Sequence, residues 1–102
     1  VHERLNMAYQ ASGEKDKASR QEGLMRLEKA ILMWNRNEVR KSLVEFEGAV
    51  GLVPDSARAW FYLAETRRML GDGSGAREAY QTCLQLDPQH GRAQRRLAQL
   101  SQ

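Results

Sequence analysis

Cysteine occurs once, proline twice and histidine twice in this chain, and aromatic residues make up only 7% of it. Each scarcity removes a class of protein. A lone cysteine, Cys83, excludes an internal disulfide. His2 and His90 are far apart and neither sits in a metal-ligand spacing, so no residue set points to a bound metal or other cofactor. No apolar run approaches the ~20 residues that a membrane-spanning helix needs, and no signal-peptide pattern opens the chain. β-Branched residues are sparse, whereas Ala, Leu, Glu, Arg and Gln abound, a balance that favours an all-α chain. At 102 residues the expectation is one small domain, and Val1 in place of an initiator methionine is expected of a piece of a longer protein.

Acidic residues also run out. Residues 1–56 carry nine Lys/Arg against nine Asp/Glu, whereas residues 57–102 carry seven Arg against four acids. The difference, 7 − 4 = 3, is the whole net charge of +3. After Asp87 there is no acid at all, only His90, Arg92, Arg95 and Arg96.

What the chain does have is a period. Pro54 and Pro88 are separated by 88 − 54 = 34 in the numbering, and a new apolar-periodic run begins after each. Between them Trp60, Leu63, Ala64 and Arg67 fall on one helix face at steps of three and four. Gly71 and Asp72 stop that helix, and Gly73 and Gly75 leave room for a tight reversal. Ala76, Tyr80, Cys83 and Leu84 form the matching stripe of a second helix, which Pro88 closes by disfavouring helix at Asp87. Small residues at Ala64 and Ala76 let the two helices approach, with Trp60 and Tyr80 filling the space beside them.

The residues Trp60-x2-Leu63-Ala64-x2-Arg67, Ala76-x3-Tyr80 and Pro88 resemble the tetratricopeptide repeat, whose pattern is W-x2-L-G-x2-Y, A-x3-F and P. Ala64 for glycine and Tyr80 for phenylalanine are ordinary variants. Arg67 for tyrosine departs from the pattern and puts the packing at that helix end in question. The resemblance implies an all-α fold in which antiparallel helix–turn–helix units stack as a short right-handed superhelix. It also implies a protein-interaction or scaffold module that binds a protein or peptide through its concave face.

A shift by the same interval extends the pattern both ways. Ala64 falls on Ala30, Ala76 on Ser42, Tyr80 on Phe46 and Cys83 on Ala49, but Trp60 falls on Arg26 and Leu63 on Lys29. Residues 23–56 therefore read as a degenerate unit, with helices over Leu24–Trp34 and Glu38–Leu52 broken at Asn35-Arg36-Asn37. Residues 57–90 are the well-matched unit, and 91–102 supply a first helix only, as a cap or partial repeat. Residues 1–22 are expected to hold a short amphipathic helix ending near Ser12, with Leu5, Ala8 and Tyr9 on one side and Gly13 after it. The polar stretch that follows reads either as a loop or as the exposed first turns of a long helix. Leu5, Ala8, Tyr9, Gly13 and Ala18 also carry the family spacing, but out of register with Pro54.

By the same resemblance the first helix of each unit lines the groove. On residues 57–70 the stripe left over from hairpin packing is Arg58, Phe61, Glu65 and Arg68. One period earlier it is Leu24, Leu27, Ile31 and Trp34, and one period later Arg92, Arg95, Gln99 and Gln102. The expected inner face grades from apolar to basic and suits a partner with acidic and apolar segments. The apolar end has two readings. Either Leu5, Ala8 and Tyr9 or a preceding repeat cover it, or it lies open to a partner or to a second copy of the chain. Self-association, or service as a plain segment of a longer array, is thus the alternative to a separate ligand. The basic end is a solvated helix face or a clamp for carboxylates. Some family members hold chaperone tails with lysines, asparagines and an arginine, but here that groove offers Leu27, Ile31 and Tyr62, and only Arg92 and Arg96 fit. Nucleic acid is disfavoured, because three arginines and a histidine without interleaved aromatics give weak, salt-sensitive phosphate binding.

Catalysis finds no constellation. Cys83 lies on an inner stripe as a buried thiol without a base. Gly71-Asp72-Gly73-Ser74-Gly75 lacks the strand and lysine of a phosphate loop and is explained by the interhelical turn. Glu45 and Glu47 are two apart on a helix and face different ways.

Overall fold

The computed structural model describes the backbone of residues 2–100 and the side chains of residues 17–100. Those residues form five helices and no strand: α1 (His2–Asn35), α2 (Val39–Leu52), α3 (Ala57–Met69), α4 (Gly73–Leu86) and α5 (Gly91–Leu100). Each helix packs on the next in sequence; among the described residues α1 also meets α3, and α3 meets α5 through side chains. The spacing is regular, since α2 and α4 start one period apart (73 − 39 = 34), as do α3 and α5 (91 − 57 = 34). The all-α stacked-repeat architecture is as the period predicts.

Local chemistry sets the helix ends. The Ser56 hydroxyl caps α3 by accepting from the Ala59 N–H at 3.2 Å, and the Asp72 carboxylate caps α4 by accepting from the Gly75 N–H at 2.9 Å. At α5 the capping acceptor is a ring nitrogen, with the Ala93 N–H donating to His90 Nδ1 at 3.1 Å. The α3–α4 turn needs a left-handed residue and takes Gly71, at φ 87°, while the α1–α2 turn uses Asn37 at φ 67°. The proline signals also have a structural use. Trp60 Nε1 donates to the Pro54 carbonyl at 2.8 Å, and one period later its equivalent, Gln94, donates through Nε2 to the Pro88 carbonyl at 2.7 Å. Arg67, the departure from the repeat pattern, reaches across the turn and donates to the Gly75 carbonyl at 3.1 Å.

The core is a seam of small residues flanked by large ones. Ala30, Ser42 and Ala49 in the first hairpin, and Ala64, Ala76 and Cys83 in the second, are all fully buried, with Phe46 and Tyr80 beside them. Small side chains bring the helix axes close, and dispersion contacts multiply at short separation. Gly23 has the same use where α1 crosses the end of α2, since a Cβ there would sit 2.8 Å from Leu52 Cβ. Trp60 lies half-buried at the edge of this core.

The expected helix end near Ser12 is corrected, while the polar stretch after it does belong to a long helix that runs past Trp34. α1 is one helix of 34 residues, with no break at Gly13 and no turn where the out-of-register family spacing falls. A single helical glycine costs only about 1 kcal/mol against Ala, too little to end a run rich in Ala, Glu, Lys and Arg. A helix rises 1.5 Å per residue, so Leu5, Ala8 and Tyr9 stand more than about 20 Å along the same rod from Leu24 and cannot fold back over it. Their side chains lie outside the described residues.

Burial orders the mutational costs. Leu63→Ala, which empties a fully buried site in α3, should destabilise by about 2–5 kcal/mol in urea melts. Val44→Ala, at a residue 68% exposed, should stay within about 0.5 kcal/mol. Equal losses at the two sites would contradict the packing.

Candidate functional site

The expected open stripe is partly closed. Leu27, Ile31, Phe61 and Glu65 are buried, so four of the twelve stripe residues are inside the stack, and Gln102 lies outside the described residues. What covers Leu27 and Ile31 is the α1–α2–α3 packing, where they share one cluster with Phe46, Ala49 and Phe61. Trp34 is half-buried with its ring edge on Tyr62, centroids 5.8 Å apart. Leu24, Arg58, Arg92 and Arg95 are exposed, and Arg68 is intermediate. Residues 24, 58 and 92 are successive equivalents in the repeat register, so a single exposed row survives along the first helices of the units.

Beside that row runs another which the sequence reading did not assemble: Glu28, Tyr62 and Arg96, with 62 − 28 = 34 and 96 − 62 = 34. Arg58 donates to Glu28 at 2.8 Å across the α1–α3 gap and lies 5.9 Å from the Tyr62 ring centroid. Tyr62 also stacks on Phe46 at 5.6 Å and meets Phe61 edge-on at 5.8 Å. Phe61 is flanked by His90 at 4.7 Å and carries the Arg92 guanidinium 5.0 Å above its ring. The repeat interval was the available signal, had it been applied one position further along each helix.

Glu65 is the electrostatic centre, only 2% exposed yet charged. The Tyr80 hydroxyl donates to Oε1, Arg96 Nε donates to the same oxygen at 2.9 Å, and Arg68 Nη2 donates to Oε2 at 3.3 Å. One carboxylate therefore joins α3, α4 and α5. Burial pushes its pKa up, but the Tyr80 hydroxyl and the Arg68 and Arg96 charges outweigh that and hold it below the usual carboxylate range. Burial and the same carboxylate push the Tyr80 hydroxyl well above the usual phenol range. Arg68 Nε is buried without a hydrogen-bond partner. At the C-terminal end Arg92, Arg95, Arg96 and Gln99 line an open hollow of about 160 Å³. Arg95 makes no ion pair among the described residues.

No group of three or more His, Cys, Asp or Glu residues suited to a metal occurs among the described residues. Cys83 is buried, and desolvation with the Asp87 charge pushes its thiol up to about 11, away from nucleophilic thiolate. Among the described residues no helix is long and apolar enough to cross a membrane.

Paired helices at a fixed interval, stacked so that each buries the next, define an α-solenoid. Residues 57–100 match the family model described as tetratricopeptide repeat. A chain of the solved structure described as "Structure of Naa15/Naa10 bound to HypK-THB" superposes with a TM-score of 0.66 at 21% identity, over 94% of this chain and 14% of that one. No curated protein matches the sequence. Residues 57–100 thus match the tetratricopeptide-repeat family, and the solved structure, at 21% identity, shares the stacked-helix fold.

Two measurements check the site's electrostatics. Glu65 has a depressed folded pKa, so its contribution to stability is present above the unfolded carboxylate range and is lost as pH falls through the folded value. Glu65→Gln should therefore be less stable than the parent at neutral pH, with the gap closing on acidification. A pH-independent gap would contradict the ionised network. Cys83 should react with a thiol reagent only as fast as the domain opens; rapid labelling of the native protein would contradict its burial.

Proposed function

We propose that this chain is a protein-binding module that holds a partner segment along the exposed row of its first helices, from Leu24 past Arg58 to Arg92 and Arg95. The observation that carries the reading is the Arg92–Arg95–Arg96–Gln99 hollow, in which Arg92 lies over the ring of the buried Phe61. Arg96 is held in place by Glu65, and Arg92 by the Phe61 ring, so two guanidinium groups are ordered before any partner arrives. Ordered side chains lose less entropy on binding. Arg95 is the open cation, and a carboxylate can take a bidentate pair from it.

The partner is an extended or helical segment with acidic residues for the α5 end and an apolar residue for Leu24. Phe61 and Glu65 act from beneath, by placing Arg92 and Arg96, and Leu27, Ile31 and Trp34 support the apolar end. In this reading residues 23–56 form a degenerate unit, 57–90 a full one, and 91–102 a cap or a partial repeat. The polypeptide preceding residue 23 extends the first helix.

Titration of isotope-labelled protein with synthetic peptides that alternate Asp or Glu with Leu tests this. Amide shifts should concentrate at Leu24, Arg58, Tyr62, Arg92, Arg95 and Arg96. The double change Arg92→Glu with Arg95→Glu should weaken binding at least about tenfold, and added salt should weaken the parent similarly. Undiminished binding by the double variant would reject the basic clamp.

A further inference from the structure

Two helices of this stack start with the same device made from different chemistry. Ser56 and His90 are equivalent positions (90 − 56 = 34), as are Ala59 and Ala93 (93 − 59 = 34). At α3 the Ser56 hydroxyl accepts from the Ala59 N–H at 3.2 Å, and at α5 His90 Nδ1 accepts from the Ala93 N–H at 3.1 Å. A hydroxyl keeps its lone pairs at every physiological pH. An imidazole nitrogen accepts only while it carries no proton, and histidine is the side chain that changes charge between about pH 5 and 8. A proton on Nδ1 sets donor against donor. It also puts a positive charge at a helix N-terminus, where the macrodipole is positive already.

The surroundings offer an imidazolium little in return. From α3 the facing group is the Phe61 ring, 4.7 Å from the imidazole, with Arg58 and Glu65 one turn to either side of it. Arg58 is engaged with Glu28, and Glu65 with Tyr80, Arg68 and Arg96. The Phe61 face attracts cations, but from α5 the Arg92 guanidinium already lies 5.0 Å from that ring. The last turn of α4 is uncharged, and its cap residue Asp87 holds the Gln89 N–H with one carboxylate oxygen at 3.2 Å. Among the described residues His90 forms no ion pair, so no salt bridge offsets the loss of the cap.

We propose that His90 is a proton-operated latch on α5: bare, Nδ1 caps the helix and keeps Arg92 seated on Phe61, and protonated, it releases the first turn. α5 has only ten residues, too few to stay helical without its contacts. Its start is held by the His90 cap, by the buried Ala93 and by the bond from Gln94 Nε2 to the Pro88 carbonyl at 2.7 Å. Its far end is held by Arg96 on Glu65 and by Arg77, which donates to the Leu100 carbonyl at 3.0 Å. Acid loosens the first group alone, so Arg92 is the cation set free. That this reaches a partner rests on the reading of the Arg92 hollow as a docking site, whereas the latch itself does not. By charge alone, an imidazolium beside these arginines tightens an acidic partner. The latch predicts the opposite sign.

Amide hydrogen exchange of the whole chain, read by NMR at about pH 7.5 and about pH 5.5 and corrected for intrinsic rates, tests the latch with no partner present. On acidification the amides at the start of α5, from Ala93 on, should lose about fivefold in protection, the effect of a typical cap, while those of α3 behind Ser56 stay as they were. His90→Asn keeps an acceptor at the cap and does not titrate, so its protection should hold at both pH values. His90→Ala should be less protected by the same factor at both. Ring-nitrogen chemical shifts at the higher pH should be those of the Nε2–H tautomer. An Nδ1–H tautomer, equal α5 protection of the parent at both pH values, or an equal loss in His90→Asn would overturn the latch. A peptide alternating Asp with Leu should bind the parent about threefold more weakly at the lower pH, and His90→Asn no more weakly. Parent binding that tightens at the lower pH would reject the link to a partner. A peptide bound at neither pH would reject the docking reading and with it that link, while exchange still decides the latch.

Discussion

No helix of this chain can bury itself, because each first helix carries two rows that need covering and its own hairpin partner covers only one. The other row waits for the helix of the neighbouring unit. That constraint makes stability a sum of nearest-neighbour interfaces. It also gives the seam of Ala30, Ser42, Ala64 and Ala76 its importance, since close approach is what lets each interface be dense. Met25 and Leu32 of α1 and Ala98 of α5 are exposed where no neighbouring helix among the described residues meets them.

Charge follows the same logic at a second level. A carboxylate as buried as Glu65 is tolerable only because Tyr80, Arg68 and Arg96 supply donors from three helices. Those arginines are therefore structural as well as surface cations. Arg58 is engaged with Glu28, Arg96 with Glu65, and Arg92 with the Phe61 ring. The net charge of the C-terminal half overstates how much positive charge is free for a partner, and Arg95 is the arginine that packing leaves open there.

Much of the fold was legible in the residue order because short-range chemistry decides it. The proline interval, the Gly71 turn, the Asn35–Asn37 break and the small residues at Ala64 and Ala76 each act within a few residues or across one hairpin, and each lies where the pattern put it. Gly13 misled for the opposite reason. A turn signal is a competition between a modest helix penalty and whatever tertiary contact rewards the bend, and along residues 13–23 the polar sequence offers no such reward.

The site was less legible, for a reason of geometry. Periodicity tells which residues share a face of a helix but not how many neighbours that face will meet. Phe61 and Glu65 share a stripe with Arg58 and Arg68, and sequence alone has no means of separating them. Depth came from the α4 and α5 packing that puts Tyr80 and Arg96 over Glu65 and His90 beside Phe61. The amino-acid order by itself thus determined where helices run and at what interval they recur. Which of their faces meet solvent was decided only when the units stacked, because burial depends on the neighbour and not on the strand of residues that bears it.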